Sequence, residues 1–136
     1  MKIKDINKLE KIANNIRIGI IEQVYNAQSG HPGGSLSATD ILTVLYFNQM
    51  NIDENKPSAQ ERDRFILSKG HCSPALYATL AEKGYFPKEK LSTFRKFGGE
   101  LQGHPDMKNI RGVDMSTGSL GQGLSAAVGM AIASKM

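Results

Sequence analysis

Cysteine is almost absent from this sequence, and two kinds of apolar segment are missing from it. Cys72 is the single cysteine among 136 residues, so an internal disulfide is excluded. The sequence shows neither an apolar run long enough to cross a bilayer nor the shorter apolar core of a signal peptide. These absences argue against a disulfide-stapled scaffold and a membrane protein, and we expect a cytoplasmic protein.

Runs of one charge sign are also missing. The 17 basic and 13 acidic residues are interleaved, and the formal net charge is +4. Nucleic-acid-binding proteins usually concentrate basic residues on one face, so this pattern argues against a nucleic-acid partner. The hydrophobic content of 40% is ordinary for a globular protein. We therefore expect one compact domain over residues 1–136, without internal repeats or linkers.

Helical periodicity dominates the N-terminal part of the chain. Apolar residues at three- and four-residue steps predict a long helix from Asp5 to about Gln28, capped by Asp5 and closed by Ser29-Gly30. The predicted apolar stripe contains Ile6, Leu9, Ala13, Ile16, Ile20 and Val24. Residues 32–34 then indicate an open loop, and Ser35 or Ser37 would cap a second helix through about Met50.

The middle of the chain has the order strand, glycine turn, helix. Residues 51–63 indicate a loop, residues 64–68 have strand character, and residues 73–83 predict a helix that ends at Gly84. In open α/β sheets, this order places ligand sites at the carboxyl ends of strands. A further helix over residues 88–96 and a long loop over residues 97–112 are expected to follow.

Each of the three histidines directly follows a glycine. The pairs are Gly30-His31, Gly70-His71 and Gly103-His104. Because glycine permits close approaches that a Cβ forbids, such a pair suits an imidazole that projects from a tight loop into a cleft. We interpret the three histidines as candidate site residues.

A glycine-rich segment over residues 112–123 precedes a small and apolar helix. Such a turn can present free backbone N–H groups to an anion or to the polar edge of a ligand. The dinucleotide fingerprint and the Walker pattern are both absent. The helix is apolar almost all round, which predicts full burial or packing against a partner helix. Because no C-cap signal precedes Met136, we expect a truncated chain.

Four motifs together resemble the transketolase family, most closely the split transketolases whose N-terminal half is a separate subunit. In chain order they are Ser29-Gly30-His31-Pro32-Gly33-Gly34, Asp63-Arg64-Phe65-Ile66-Leu67-Ser68-Lys69-Gly70-His71, Gly103-His104-Pro105 and Thr117-Gly118-Ser119-Leu120-Gly121-Gln122-Gly123. The resemblance runs from about Leu9 to Met136. It implies an α/β fold, the N-terminal portion of a thiamin-diphosphate-binding domain with a parallel sheet flanked by helices, helix-rich in this segment.

The resemblance also implies a reaction and a set of site residues. The reaction is the thiamin-diphosphate-dependent transfer of a two-carbon ketol unit from a ketose phosphate to an aldose phosphate. The implied catalytic residues are His31, His71 and His104. The implied cofactor-binding residues are Gly34, Lys69, His71, Gly118, Ser119 and Leu120. Histidine titrates in the range needed to take a hydroxyl proton, and the cofactor itself supplies the carbanion sink.

Some features of the family are missing from this sequence. The G-D-G motif and the downstream Asn, which in the family hold a divalent ion such as Mg²⁺ or Ca²⁺, do not occur. Asp106 and Asp114 lack the spacing of a metal motif, so we assign no metal ligand. The family's activating glutamate belongs to its second domain. We therefore expect an inert chain that needs a C-terminal transketolase subunit or domain, in a homodimer of such assemblies.

Other interpretations remain open. The chain could belong to another thiamin-diphosphate enzyme, such as a relative of deoxyxylulose-phosphate synthase, or be a non-catalytic fragment. Single residues also have simpler explanations: Lys69 as a solvated side chain, and Cys72 as a small buried one. Whether the pathway is the pentose phosphate pathway or the supply of aromatic precursors stays open as well.

Overall fold

A computed structural model describes residues 2–136, and its regular structure is helical. The elements are α1 (Ile6–Ala27), α2 (Pro32–Val44) with a π-helical continuation (Leu45–Gln49), a 3₁₀ turn (Gly70–Cys72) leading into α3 (Ser73–Lys83), a second 3₁₀ run (Lys88–Thr93) and α4 (Gln122–Ala133). Within these residues, no helix is both long and apolar enough to cross a membrane.

Helix α1 begins after the predicted cap Asp5, but it is closed by Gln28 and not by the predicted Ser29-Gly30. The Asp5 carboxylate accepts hydrogen bonds from the backbone N–H groups of Asn7 (3.0 Å) and Lys8 (3.4 Å), which satisfies donors that a helix start leaves free. The left-handed residue that ends the helix is Gln28, with φ 49°. Ala13, Ile16 and Ile20 of the predicted stripe are buried, whereas Ile6 is exposed.

Helix α2 starts earlier than predicted, and the expected open loop at residues 32–34 is wrong. Pro32 is the first helical residue and His31 is the N-cap. Proline is favoured at this position because its φ already suits a helix and its missing N–H needs no partner there. Ser35 and Ser37 do not act as N-caps. Their hydroxyls donate to the carbonyl oxygens of His31 (2.9 Å) and Gly34 (3.0 Å).

Helix α3 forms the centre of the molecule and confirms the predicted bounds. Residues 73–81 are all buried, and Gly84 ends the helix with φ 99°. Helices α1 and α2 both pack against α3. The side chain of Gln23 fastens α1 to the start of α3, because its Nε2 donates to the carbonyl oxygens of Gly19 (2.9 Å) and Pro74 (3.0 Å).

The predicted strand at residues 64–68 does not form in the described part of the chain, where this segment is non-helical and has no backbone ladder to a neighbour. Residues 114–117 run beside it in the same direction. Phe65 N–H donates to the Asp114 carboxylate (2.8 Å), and Thr117 Oγ1 donates to the Leu67 carbonyl (2.7 Å). The two segments are therefore parallel neighbours held by side-chain bonds, and both lead into glycine turns.

The expected helix over residues 88–96 is shorter than predicted. Only Lys88–Thr93 is helical, as a 3₁₀ run. Arg95 then takes a left-handed conformation with φ 56°, which a continuing helix does not allow. Residues 97–112 form the predicted loop.

Helix α4 is exposed, so of the two predicted alternatives, full burial does not occur within the described residues, and the expected exposed apolar face is present. Gly123 is its buried residue. Leu124, Val128 and Ile132 of the helix, with Leu120 in the turn before it, recur every four residues and are 66%, 51%, 59% and 71% exposed. They form one apolar face, here called the α4 face.

Candidate active site

Two of the three histidines meet where α2 and α3 begin. His31 is the N-cap of α2, and His71 lies in the 3₁₀ turn before α3. Their rings pack edge to face, with centroids 4.9 Å apart and an interplanar angle of 68°. The packing of α2 against α3 thus brings together imidazoles that are forty positions apart in the chain.

Lys69 and Gly34 lie beside this pair. The Lys69 ammonium donates to the Gly34 carbonyl (3.0 Å) and to Ser37 Oγ (3.4 Å). A Cβ at Gly34 would lie 2.6 Å from Cys72 Sγ and 3.9 Å from His71 Nε2. Glycine is therefore required here for α2 to approach the turn that carries His71.

His104 is held by a buried tyrosine. Tyr77 Oη lies 2.9 Å from the carbonyl oxygens of both Gln102 and His104, and Ser73 Oγ donates to the Gly103 carbonyl (2.8 Å). Burial raises the pKa of the Tyr77 phenol well above its usual range, so it stays a proton donor. Helix α3 thereby positions the backbone of the loop that carries His104.

The glycine turn at residues 118–120 closes one side of the site. A Cβ at Gly70 would lie 2.8 Å from the Thr117 carbonyl carbon and 2.9 Å from Gly118 N, so this glycine too permits a close approach. A Cβ at Gly118 would lie 3.6 Å from the ring of His104. Ser119 and Leu120 are exposed. Among residues 2–136, the backbone N–H groups of residues 118–121 have no acceptor.

The electrostatics of the site favour an anion. Partial burial lowers the pKa of His71, and the neighbouring His31, Lys69 and His104 lower it further. This lowering by basic neighbours indicates a locally positive potential. An anion placed there would gain from the Lys69 ammonium and from donors on His71.

Cys72 is buried, as predicted, and lies against α2. Its side chain is 0% exposed, and burial raises the pKa of its thiol. A buried thiol with a raised pKa is a poor nucleophile. Cys72 therefore acts as a small packing residue beneath Gly34.

The structure gathers the predicted residues into one region. His31, Gly34, Lys69 and His71 form one group, His104 and Gly118 form a second, and the Gly70–Gly118 contact joins them. Sequence reasoning missed Arg95, whose guanidinium hydrogen-bonds Ser29 Oγ and lies against Gly103. It also missed Tyr77, because its role depends on tertiary contacts with a distant loop.

The described residues do not provide a metal centre. Across residues 2–136, no group of three or more His, Cys, Asp or Glu side chains could hold a metal ion. Asp114 instead forms a buried ion pair with Arg62. The Asp106 carboxylate accepts hydrogen bonds from the Lys108 backbone N–H (2.9 Å) and from Asn109 (2.6 Å), which lower the pKa of Asp106.

Comparisons with known proteins agree with this geometry. The family model described as transketolase, thiamine diphosphate binding domain, matches residues 8–136. The 6-deoxy-6-sulfo-D-fructose transketolase subunit SqwG of Clostridium sp. (strain MSTE9) is 54% identical over 94% of this chain and 46% of its own length. One subunit of the apulose-4-phosphate transketolase of Phocaeicola vulgatus is 46% identical over 96% of this chain and 46% of its own length.

Solved structures show the same fold. Transketolase from Leishmania mexicana superposes with a TM-score of 0.88 at 39% identity, covering 92% of this chain and 19% of that one. The chain thus spans about half the length of the subunits it matches, and about a fifth of the longer transketolases. The fold expected from the resemblance, the N-terminal portion of a thiamin-diphosphate-binding domain that is helix-rich in this segment, is confirmed, and within residues 2–136 the regular structure is helical without a strand. The chain belongs to the transketolase family, in its thiamine diphosphate-binding domain.

Proposed function

We propose that this chain supplies the diphosphate-binding part of a transketolase that transfers a two-carbon ketol unit from a ketose phosphate to an aldose phosphate. The observation that carries this proposal is the convergence of the Gly-His pairs on one cationic region that also contains Lys69. A proton-transferring group and an anion-binding group therefore lie side by side.

The residues present fit thiamin diphosphate. Lys69 and His71 would hold the diphosphate. Gly34 lies beside them, and a side chain at this position would collide with Cys72 and crowd His71. The free N–H groups of Gly118, Ser119 and Leu120 would contact the aminopyrimidine ring. When bound, the cofactor supplies the sink for the electron pair released by carbon–carbon cleavage.

The histidines would handle the sugar. His31 and His104 face the same region from two loops and would bind substrate hydroxyls. An imidazole can remove a hydroxyl proton from the donor and return it to the product near neutral pH. Because the pKa of His71 is lowered, its ring is largely neutral at pH 7 and can accept a proton. An approaching diphosphate would raise that pKa and favour a charge-assisted contact.

The full activity requires residues from outside this chain. We propose that a C-terminal transketolase subunit or domain supplies the activating glutamate, and that a Mg²⁺ or Ca²⁺ ion is held by ligands beyond residues 2–136. The apolar α4 face is a suitable surface for such a partner or for a symmetric copy. The chain alone is then inactive, and its buried, unpaired Cys72 suits a cytoplasmic enzyme.

The names of both subunit relatives narrow the substrate class. One name contains a sulfo-sugar and the other a sugar phosphate. We propose that the substrates of this chain's assembly likewise carry a terminal anionic group. The phosphate esters remain the first to test.

The test combines the chain with a C-terminal transketolase subunit, thiamin diphosphate and Mg²⁺. We expect saturable cofactor binding by calorimetry and ketol transfer between sugar phosphates. Lys69→Gln should weaken cofactor binding about tenfold, the loss of one charge-assisted contact. Lys11→Gln, an exposed lysine on α1, is the matched control and should change nothing.

Two results would overturn the assignment. Absence of cofactor binding in an assembly shown to form by sedimentation would exclude a thiamin-diphosphate enzyme. A product that depends on pyruvate, in place of a ketose donor, would move the chain to the deoxyxylulose-phosphate synthase relatives.

A further inference from the structure

A separate cavity opens at the opposite end of the two parallel segments. Residues 64–67 and 114–117 run in the same direction, and the histidine loops follow their carboxyl ends. The cavity, of about 540 Å³, lies where the two segments begin. Its charged lining consists of Arg62, Arg64, Lys108, Arg111 and Asp114, and we call it the cationic cavity.

The positive charge of this cavity is not balanced by the acids around it. Its carboxylate, Asp114, is already bound by Arg62 and by the Phe65 N–H (2.8 Å), with Arg64 3.9 Å away. Within the described chain, neither Lys108 nor Arg111 has a carboxylate within 4.0 Å of its charged nitrogens.

Two further acidic residues lie near the cavity, and both already have other partners. Glu54 pairs with Lys83 at 3.7 Å. The Asp106 carboxylate accepts hydrogen bonds from Lys108 N–H, Asn109 and Ser116. The cavity lining therefore holds four cationic side chains and one carboxylate, and the pairing of that carboxylate with Arg62 leaves three cations unbalanced.

The cationic side chains of the lining differ in how many of their donors a ligand could reach. Arg62 is 11% exposed, and its Nε is buried without an acceptor among residues 2–136. That atom has almost no accessible surface, so a ligand in the cavity does not reach it, and the donors open to a ligand are those of the exposed Lys108 and Arg111. The guanidinium of Arg111 makes one hydrogen bond, to the Glu54 carbonyl (2.7 Å), which leaves most of its donors free.

We propose that the cationic cavity binds a small organic phosphate at a site separate from the cofactor diphosphate. Its volume suits a small molecule, and guanidinium groups recognise phosphate through paired hydrogen bonds. Met107, Ile110 and Val113 supply apolar lining, which suits the carbon body of an ester more than an inorganic ion. The inference stands independently of the proposed function.

A bound phosphate would also join two parts of the chain that lead to the histidine site. It would connect residues 62–64 with residues 108–111, whose continuations carry His71 and the glycine turn at residues 118–120. Occupancy of the cationic cavity would then restrain both parallel segments from their starting ends.

The test is an amide NMR titration of the chain with glycerol phosphate, with KCl at equal ionic strength as the reference. We expect saturable shifts at residues 58, 62–64 and 107–113. The double variant Lys108→Gln/Arg111→Gln, which changes exposed side chains, should weaken the apparent affinity at least about tenfold. The matched control is Lys8→Gln/Lys11→Gln on exposed positions of α1.

Every outcome of this titration either supports or overturns phosphate binding in the cationic cavity. Shifts that follow ionic strength alone, that equal those with inorganic phosphate, or that persist in the double variant show an adventitious ion only and overturn it. Binding at the histidine site is read separately from the amides of residues 69–71 and 117–120 and is weakened by Lys69→Gln. Failure of one site is therefore distinguishable from failure of the other.

Discussion

The imidazole of His71 packs edge-on against that of His31, with centroids 4.9 Å apart. The second ring, the Lys69 ammonium and His104 all disfavour a proton on His71, and partial burial disfavours it most. The pKa of His71 is therefore lowered in the folded chain, which makes this pair sensitive to pH.

We predict that stability falls with acidification through this histidine. An unfolded histidine has a pKa of about 6.5, so as the pH falls the unfolded chain binds the proton before folded His71 does. The free energy of unfolding then decreases chiefly between about pH 6.5 and the folded pKa, and this group contributes almost no slope above about pH 8. Urea unfolding at several pH values, with imidazole NMR titration, measures both quantities.

Two variants check the cause of that shift. His31→Asn should raise the pKa of His71 part of the way to its ordinary value, because burial and Lys69 remain. His71→Asn should remove this group's share of the pH slope. A His71 pKa at or above the ordinary value in the folded chain would contradict the prediction.

Gly34 and Gly33 are adjacent residues of α2 with opposite tolerance for a side chain. A Cβ at Gly34 would lie 2.6 Å from the buried Cys72 Sγ, whereas a Cβ at Gly33 meets nothing within 4 Å. We predict that Gly34→Ala destabilises the chain by ~1–3 kcal/mol through overpacking. Gly33→Ala should be neutral or stabilising, since alanine favours a helix by ~1 kcal/mol over glycine.

Chemical denaturation of both variants measures this difference, and a rescue variant tests the named contact. Adding Cys72→Ala to Gly34→Ala removes the sulfur that clashes and should recover part of the lost stability. Equal stabilities for Gly33→Ala and Gly34→Ala would show that α2 does not approach the His71 turn as described.

Local rules predicted some of these elements and failed at others for physical reasons. Asp5 and Gly84 are caps whose geometry depends on the adjacent backbone, so the ends of α1 and α3 could be read from sequence. At Pro32 two local signals conflicted. A proline followed by glycines is typical of a loop, whereas a proline at the first position of a helix is typical of a helix start. The tight contact between Gly34 and Cys72 favours the helix, and it is visible only in three dimensions.

The candidate site also contains both residues that local rules predicted and residues that they missed. The histidine motifs predicted which side chains gather, because their glycines permit the close approaches that the structure contains at Gly34 and Gly70. Arg95 could not be predicted, since a non-glycine residue with φ 56° is held there by contacts with distant residues. An exposed apolar face was predicted because the helix is apolar almost all round, whereas which of its residues are exposed depends on what packs against it in three dimensions.

Arg95 links the loops of two histidines. Its guanidinium hydrogen-bonds Ser29 Oγ, lies over the Phe94 ring at 5.5 Å, and would be 2.8 Å from a Cβ at Gly103. We predict that Arg95→Ala speeds amide hydrogen exchange at residues 29–31 and 102–104. Lys96→Ala, at the next exposed position, is the control and should leave both loops unchanged.

A glycine variant separates backbone strain from the lost contacts. A left-handed conformation costs a residue with a Cβ ~1–2 kcal/mol. Arg95→Gly should therefore be no less stable than Arg95→Ala, despite the larger conformational entropy of glycine in the unfolded chain. A clearly less stable glycine variant would show that residue 95 is not left-handed in solution.

Asp114 joins the two parallel segments through a buried ion pair. Its carboxylate is 2% exposed, binds Arg62, and accepts the Phe65 N–H. We predict that Asp114→Leu lowers the free energy of unfolding by ~3–5 kcal/mol, because Arg62 is left as a buried charge without its partner. The double variant Arg62→Met/Asp114→Leu should be more stable than Asp114→Leu alone, and a less stable double variant would contradict this account.

The α4 face should drive association of the purified chain. Val128 is 51% exposed at the middle of this face, and exposed apolar patches of this kind mark interaction surfaces. We predict concentration-dependent association in sedimentation velocity, weakened by Val128→Lys without loss of helicity because the side chain is not part of the core. Ala133→Lys adds the same charge to an exposed position on the opposite side of α4 and should leave association intact. If both lysine variants behave alike, net charge and not the α4 face controls association, whereas a difference confined to Val128→Lys places the partner on this face.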